Sequence, residues 1–353
     1  MNRAILSVLC IYLFSCVGCT TRENIFNGRL IEIKEFDCTS KITAKKLLLT
    51  DPPMGFSAIR KIDSLVAFIH HRGGSDYFFS LYDVKNDKFL GKFMRRGRGP
   101  DEFMLVEYSG DYVIDQNGDI HICCFAANER VVLKCNVSAF LRTGKYTTEV
   151  LYTFPSFSLK RTHILSDSCF LSHFYDPQQQ QMLYQMTQPH SANDKDVPLY
   201  NIEIPLDEYF LFGSIGNLSP NKDKLALAMT SFALINILDP NNPKNNLSIM
   251  PDRALYRDVE TVRNNIFTDR RVTYESIKCE GQYIFALYSG VNSGEREKAS
   301  GVELHVVDWK GKGVARLFID EILMSFCIDE SSKTMYALDY FEELYTYDLS
   351  KVI

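Results

Sequence analysis

Three arginines crowd one corner of the sequence, Arg95, Arg96 and Arg98, in the stretch RRGRGPDEF that ends at Phe103. A guanidinium fork binds carboxylate or sulfate oxygens in pairs, so such a cluster suits an acidic ligand. Other polar and aromatic residues recur where short apolar runs end: His70, His71 and Arg72, then Asn128 and Arg130, Tyr175 and Asp176, Tyr288, and Tyr340 with Phe341. Rings at such places suit sugar faces. Local signatures of catalysis are missing. The chain has no H-E-x-x-H, no G-x-S-x-G and no Walker loop, which removes the usual marks of zincin, serine-hydrolase and P-loop chemistry. His70 and His71 are a conceivable pair of metal ligands, but His121, His163, His173, His190 and His305 show no ligand spacing, and neither a metal nor another cofactor is expected. The many Asp residues at turns are accounted for by bonding to their own backbone, which makes them poor acid/base partners.

What positions these residues is bounded first by composition. At 353 residues the chain has room for two ordinary domains or one large repetitive one. Hydrophobic residues at 46% and charged ones at 24% allow a sizeable core and exclude wholesale disorder. Aromatic usage, 24 Phe and 19 Tyr against one Trp, leans toward pleated, half-buried surfaces. A formal charge of -5 gives no broad basic field for a nucleic-acid backbone, so nucleic acid is set aside as a partner.

Met1 to Cys19 carries Arg3, an apolar run from Ala4 to Phe14, and the ending Ser15-Cys16-Val17-Gly18-Cys19. It is too short to span a bilayer and reads as an export signal. Its end resembles a bacterial lipobox, with Cys16 where Leu is usual and Cys19 as the lipidated residue. Residues 1–18 are therefore expected to be removed, 19–28 to form a tether, and 29–353 to fold. The resemblance implies a protein of the cell envelope held by lipid, at the outer membrane on its periplasmic or surface side, with the membrane as its first partner. The seven cysteines of the body form no disulfide framework and read as buried small hydrophobes; adjacent Cys123 and Cys124 point to opposite faces of a strand.

The body repeats. An apolar strand closes on an Asp or another polar turn residue, and a second strand, a loop and a third strand follow. Anchors at Asp63, Asp115, Asp167, Asn221, Glu280 and Asp329 are spaced by 52, 52, 54, 59 and 49 residues. Six copies of short strands without a helical stripe predict an all-β, six-bladed β-propeller, with a pair of β-sandwiches as the alternative. Each blade must be covered by its neighbours, so the ring has to close. The last copy ends after three strands, and RLIEIKEF, Arg29 to Phe36, alternates in period two outside every copy, so this N-terminal strand is expected to complete the last blade. GRGPDEF then reads as the inward crossing between blades, with Gly97 and Gly99 giving the turn, Pro100 stiffening it and Phe103 plugging the gap.

That crossing, with YVIDQNGDIHICCFAANERVVLKCN behind it, resembles the NHL repeat: Gly97, Gly99, Pro100 and Phe103 match its loop, Asp115 and Gly118 its turn, and Asn128 and Arg130 its entry to the third strand. It departs at Cys124 and Phe125, where NHL units carry an acidic residue. Only the second copy matches in letters. With the lipobox, the whole chain is similar to the six-bladed TolB-like, NHL-related propeller lipoproteins of Bacteroides-type bacteria. That resemblance implies fold and location but no reaction. Sialidase-type propellers carry S-x-D-x-G-x-T-W boxes, which this chain lacks. Two functions stay open: a non-enzymatic binding or scaffold propeller for a glycan, peptide or protein partner, and a lyase or hydrolase acting on a polysaccharide fragment through the central channel. The first is preferred. The loops and inward crossings share one face, where the residues named at the outset are expected to gather.

Overall fold

The structure, a computed structural model, describes residues 24–353 apart from 156–158, 190–193, 266, 293 and 296–298. Cys19 and the export signal lie outside the described residues. Strands and turns fold into six sheets, antiparallel in their inner strands, whose first strands face a common axis, a six-bladed propeller. Blade one comprises Phe56–Ile62, Leu65–His70, Tyr77–Asp83 and Lys88–Arg96, in that order from axis to rim. The inner strands of the other blades are Tyr112–Ile114, Leu159–Ser166, Ser214–Leu218, Arg271–Glu280 and Leu323–Asp329. Turn chemistry explains the rhythm. Asp115, Asp308 and Asp339 each accept backbone N–H bonds two and four residues on, at 2.8–2.9 Å, so one carboxylate ends a strand and shapes the hairpin.

GRGPDEF crosses from rim to axis as the sequence predicts. Glu102 folds its carboxylate back onto the Gly99 N–H at 2.9 Å, and a Cβ on Gly97 would sit 1.8 Å from that carboxylate. Glu102–Phe103 pairs in parallel with Arg95–Arg96, and Phe103 packs with Phe79, Phe93, Tyr108 and Phe140 between blades one and two. The inner strand of blade two is interrupted. Val106–Glu107 and Tyr112–Ile114 both pair with Ile120–Ala126, leaving Tyr108 to Asp111 as a bulge opposite Cys123 and Cys124. All seven body cysteines are free thiols, and Cys123, Cys124, Cys135, Cys279 and Cys327 are buried.

Ring closure uses an N-terminal strand, but a different one from that expected. Arg29–Glu32 runs parallel to Leu247–Met250 on the outer edge of blade four, and Cys38–Ile42 runs parallel to Gly313–Ile319 on blade five. The last blade is completed by Lys45–Lys46, antiparallel to Tyr345–Thr346. The reason is the path: the N-terminal segment wraps around three consecutive rims, so RLIEIKEF meets blade four first. Period-two alternation marks a strand with one buried side and carries no address. The wrap begins earlier still, with Ile25 and Phe26 buried and Phe26 bridging to Tyr200. Among the described residues no helix is long and apolar enough to cross a membrane.

Candidate ligand site in the central channel

On the loop face, most of the residues named from sequence are occupied by the fold. His70 is buried, with Nε2 2.8 Å from Ser80 Oγ and Nδ1 3.2 Å from the Gly55 carbonyl, and burial lowers its pKa. Arg96 donates to the His70 carbonyl at 2.6 Å and lies 3.9 Å above the Phe78 ring. Arg95 is 3.5 Å from Glu102. Arg130 donates to the Pro155 carbonyl at 2.7 Å, Tyr175 to that of Ile204 at 2.9 Å, and Asp176 caps the turn at Gln178 and Gln179. Tyr288 is buried in a stack on His305. Tyr340 is half-buried, while Asn128, Arg98, His71, Arg72 and Phe341 are exposed. The loops of blades one and six meet, His71 lying 3.9 Å from Glu342. Tyr175 and Asp176 line a separate cavity of about 280 Å³ with Tyr152, Phe154 and Phe174.

The opposite end of the channel holds a different kind of site. A cavity of about 310 Å³ is bounded by the inner strands and turns of blades one, two, four, five and six, with Arg60, Asp111, Asn217, Lys278 and Cys327 among its walls and Lys61, Tyr112, Lys222 and Glu280 around them. Arg60 can lie across the bulge of blade two because Gly110 has no side chain: a Cβ there would meet Arg60 Cδ at 3.2 Å. Gly110 has φ +103°, a conformation glycine adopts without cost. The Asn217 carboxamide ties blades together, accepting from the Cys279 N–H at 2.7 Å while its amino group reaches the Ser109 carbonyl at 3.5 Å.

Hydrogen-bond capacity in this cavity is unevenly used. Arg60 Nη1 donates to the Ile59 carbonyl at 2.8 Å and to Ser325 Oγ at 3.4 Å, whereas its buried Nε has no partner. The Tyr108 hydroxyl is also buried without one. Lys278 is 7% exposed, and its ammonium makes no hydrogen bond or ion pair among the described residues. Burial, followed by the charge of Arg60, pushes its pKa well below the usual lysine range. Asp111 accepts from Ser109 Oγ at 2.5 Å, yet burial raises its pKa. Burial likewise pushes Glu280 up to about 7. Lys61 is committed to Asp329 at 3.1 Å. Burial holds the thiol of Cys327 protonated, up to about 12, which is the opposite of what a nucleophilic cysteine needs. Among the described residues no three His, Cys, Asp or Glu side chains stand together as a metal would require. The arrangement supplies cationic donors, an amide and two reluctant carboxylates around a small space.

Sequence reasoning missed this set, although a signal existed. Aligned on the repeat anchors, Arg60, Asn217, Lys278 and Cys327 stand two to four residues before Asp63, Asn221, Glu280 and Asp329. A polar residue there faces the axis, among the inner strands of the other blades.

The TolB-like 6-blade propeller-like family matches residues 33–331. The chain belongs to this family. The fold is similar to that in the crystal structure of a Bacteroides fragilis protein described as exported, at 11% identity and a TM-score of 0.51, covering 90% of this chain and 98% of that one. A streptogramin B lyase structure aligns at 10% identity and a TM-score of 0.48, over 88% of this chain and 98% of that one. No curated protein matches the chain.

Proposed function

We propose that this TolB-like protein is an exported, lipid-anchored binding propeller that receives a small polar ligand, or the end of a glycan or peptide, in the Lys278 end of its channel. The observation that carries this reading is a largely buried lysine bordering the cavity, whose ammonium has no protein partner among the described residues. A ligand oxygen there makes a charge-assisted hydrogen bond, worth about 1.5–3 kcal/mol. A cavity of about 310 Å³ stands at the small end of the ligand-pocket range of roughly 300–1,000 Å³. Export is supported by the Met1 to Cys19 pattern and by the description of the Bacteroides fragilis protein.

A glycan and peptide array probed with the protein, then repeated with Lys278→Met, tests the binding site. Binding that Lys278→Met leaves untouched would move the site off the channel. Anchoring is tested separately: Cys19→Ala is expected to shift the protein from membranes to the soluble fraction, and retention at the membrane would remove the lipid from the reading. One observation favours the enzymatic alternative, the Glu280 carboxyl held near 7 within the cavity wall, since perturbed carboxyls of this kind serve acid/base steps. Release of reducing ends from polysaccharide fragments, abolished by Glu280→Gln, would decide for it.

A further inference from the structure

We propose that the Lys278 end of the channel is an anion site, holding the carboxylate or sulfate-like oxyanion of a small ligand between Lys278 Nζ and the guanidinium of Arg60. This rests on the channel being the binding site and adds the class of ligand. The groups bounding the space are the cations Arg60, Lys61, Lys222 and Lys278 and the acids Asp111 and Glu280. Their roles differ. Lys61 is spent on Asp329, whose other carboxylate oxygen takes Lys85 at 3.1 Å. Asp111 is engaged by Ser109. Among the described residues Arg60, Lys222 and Lys278 have no acidic partner within ion-pair distance, so the cavity offers a ligand basic groups that no carboxylate has claimed.

Geometry agrees with charge. Arg60 spends only Nη1 on the protein; its Nε is sealed from solvent, and among the described residues Nη2 makes no hydrogen bond, which leaves Nη2 as the guanidinium nitrogen for a ligand oxygen. Asn217, whose oxygen is consumed by Cys279, can offer only N–H outward. A cationic ligand would meet the Arg60 guanidinium and would disfavour the protonated form of Lys278 further. A neutral sugar would leave the ammonium and the guanidinium with weaker, uncharged acceptors. An oxyanion satisfies both and favours the protonated form of Lys278, which burial and Arg60 disfavour.

Protonation gives the sign of the pH dependence. Lowering pH favours the charged form of Lys278 and the neutral forms of Asp111 and Glu280, all three favouring an anion, while burial keeps the thiols of Cys279 and Cys327 and the phenol of Tyr108 neutral. The test is calorimetric titration of the full-length protein in detergent with inorganic sulfate, glucuronate and glucose. Sulfate and glucuronate keep a fixed charge across the range, and comparing them separates oxyanion from sugar-acid recognition. At least one anion is expected to bind more tightly at pH 6 than at pH 8, and Lys278→Met and Arg60→Met each to weaken it about tenfold, the worth of one charge-assisted hydrogen bond. Asp111→Asn is expected to tighten it, a gain that misfolding cannot imitate. Anion binding indifferent to Lys278→Met and Arg60→Met overturns the proposal. So does an array ligand without negative charge that binds through Lys278 while both anions fail, and in that case channel binding itself survives. If no array ligand, charged or neutral, depends on Lys278, both readings fall.

Discussion

Gly110 decides whether Arg60 reaches the axis. With φ +103° and Arg60 Cδ 3.2 Å from where a Cβ would stand, Gly110→Ala strains the bulge by about 1–3 kcal/mol and pushes the guanidinium away. Chemical denaturation should show the loss of stability, and ligand titration a weaker site in protein that is still folded. Glu280 gives a second prediction at this scale. Its carboxyl has a pKa of about 7 in the folded chain against 4.5 when unperturbed. A folded pKa raised above the unfolded one means stability fully present below about 4.5 and lost as pH rises through 7. Relative to wild type, Glu280→Gln should therefore gain about 2 kcal/mol between pH 5 and pH 8, discounted for its partial exposure. Equal pH profiles would show that the carboxyl is solvated. These residues were hard to read from sequence because Lys278 in SIKCE and Arg60 in FSAIRKI look like solvent-facing positions of ordinary strands. Only the ring turns those positions toward a narrow shared axis. Arginines next to glycines drew attention instead, and Arg96 proves to be a strut.

Elements were more legible than their partners. Six inner strands follow from the repeat anchors, and GRGPDEF crosses between blades as its glycines and Phe103 imply. The N-terminal strands are different. Arg29–Glu32 and Cys38–Ile42 pair in parallel with rims far away in sequence, and Lys45–Lys46 is a two-residue strand with both side chains exposed, so nothing local announces it. What betrays the wrap is a pair of glycines where it meets the rims, one on a rim and one in the wrap. A Cβ at Gly313 would come 2.7 Å from Ile33 Cγ2 and 3.0 Å from Phe36, and one at Gly28 would come 2.8 Å from the Asn246 carbonyl carbon. Gly313→Val should lift the segment around Ile33 off blade five. Limited proteolysis would then cut near Lys34, where wild type resists, with the blades themselves intact. Unchanged protection would mean that the rim yields to accommodate the side chain.

For the molecule as a whole, closure and edge protection are separate jobs done by one segment, and truncation can divide them. The outer strands of blades four, five and six are open edges that would otherwise pair with other chains. A chain beginning at Asn24 keeps Ile25, Phe26 and all three added strands and should unfold like the full body. Beginning at Asp37 removes the buried side chains of Ile25, Phe26 and Ile33, each worth about 1.5–3 kcal/mol, but leaves Lys45–Lys46 in the last blade. That loss, on the order of 5 kcal/mol, is comparable with the entire stability of a typical domain at about 5–15 kcal/mol, so a marked drop in Tm is expected with the ring still closed. Beginning at Leu48 also takes the fourth strand from blade six, whose Tyr345 and Thr346 would lose their outer partners. That chain should lose its single cooperative calorimetric transition and associate through the bared edge, seen as larger species by size-exclusion chromatography. A monomeric Leu48 chain with the Asp37 chain's Tm would show that the blades' own packing closes the ring, and that the N-terminal wrap only shields it.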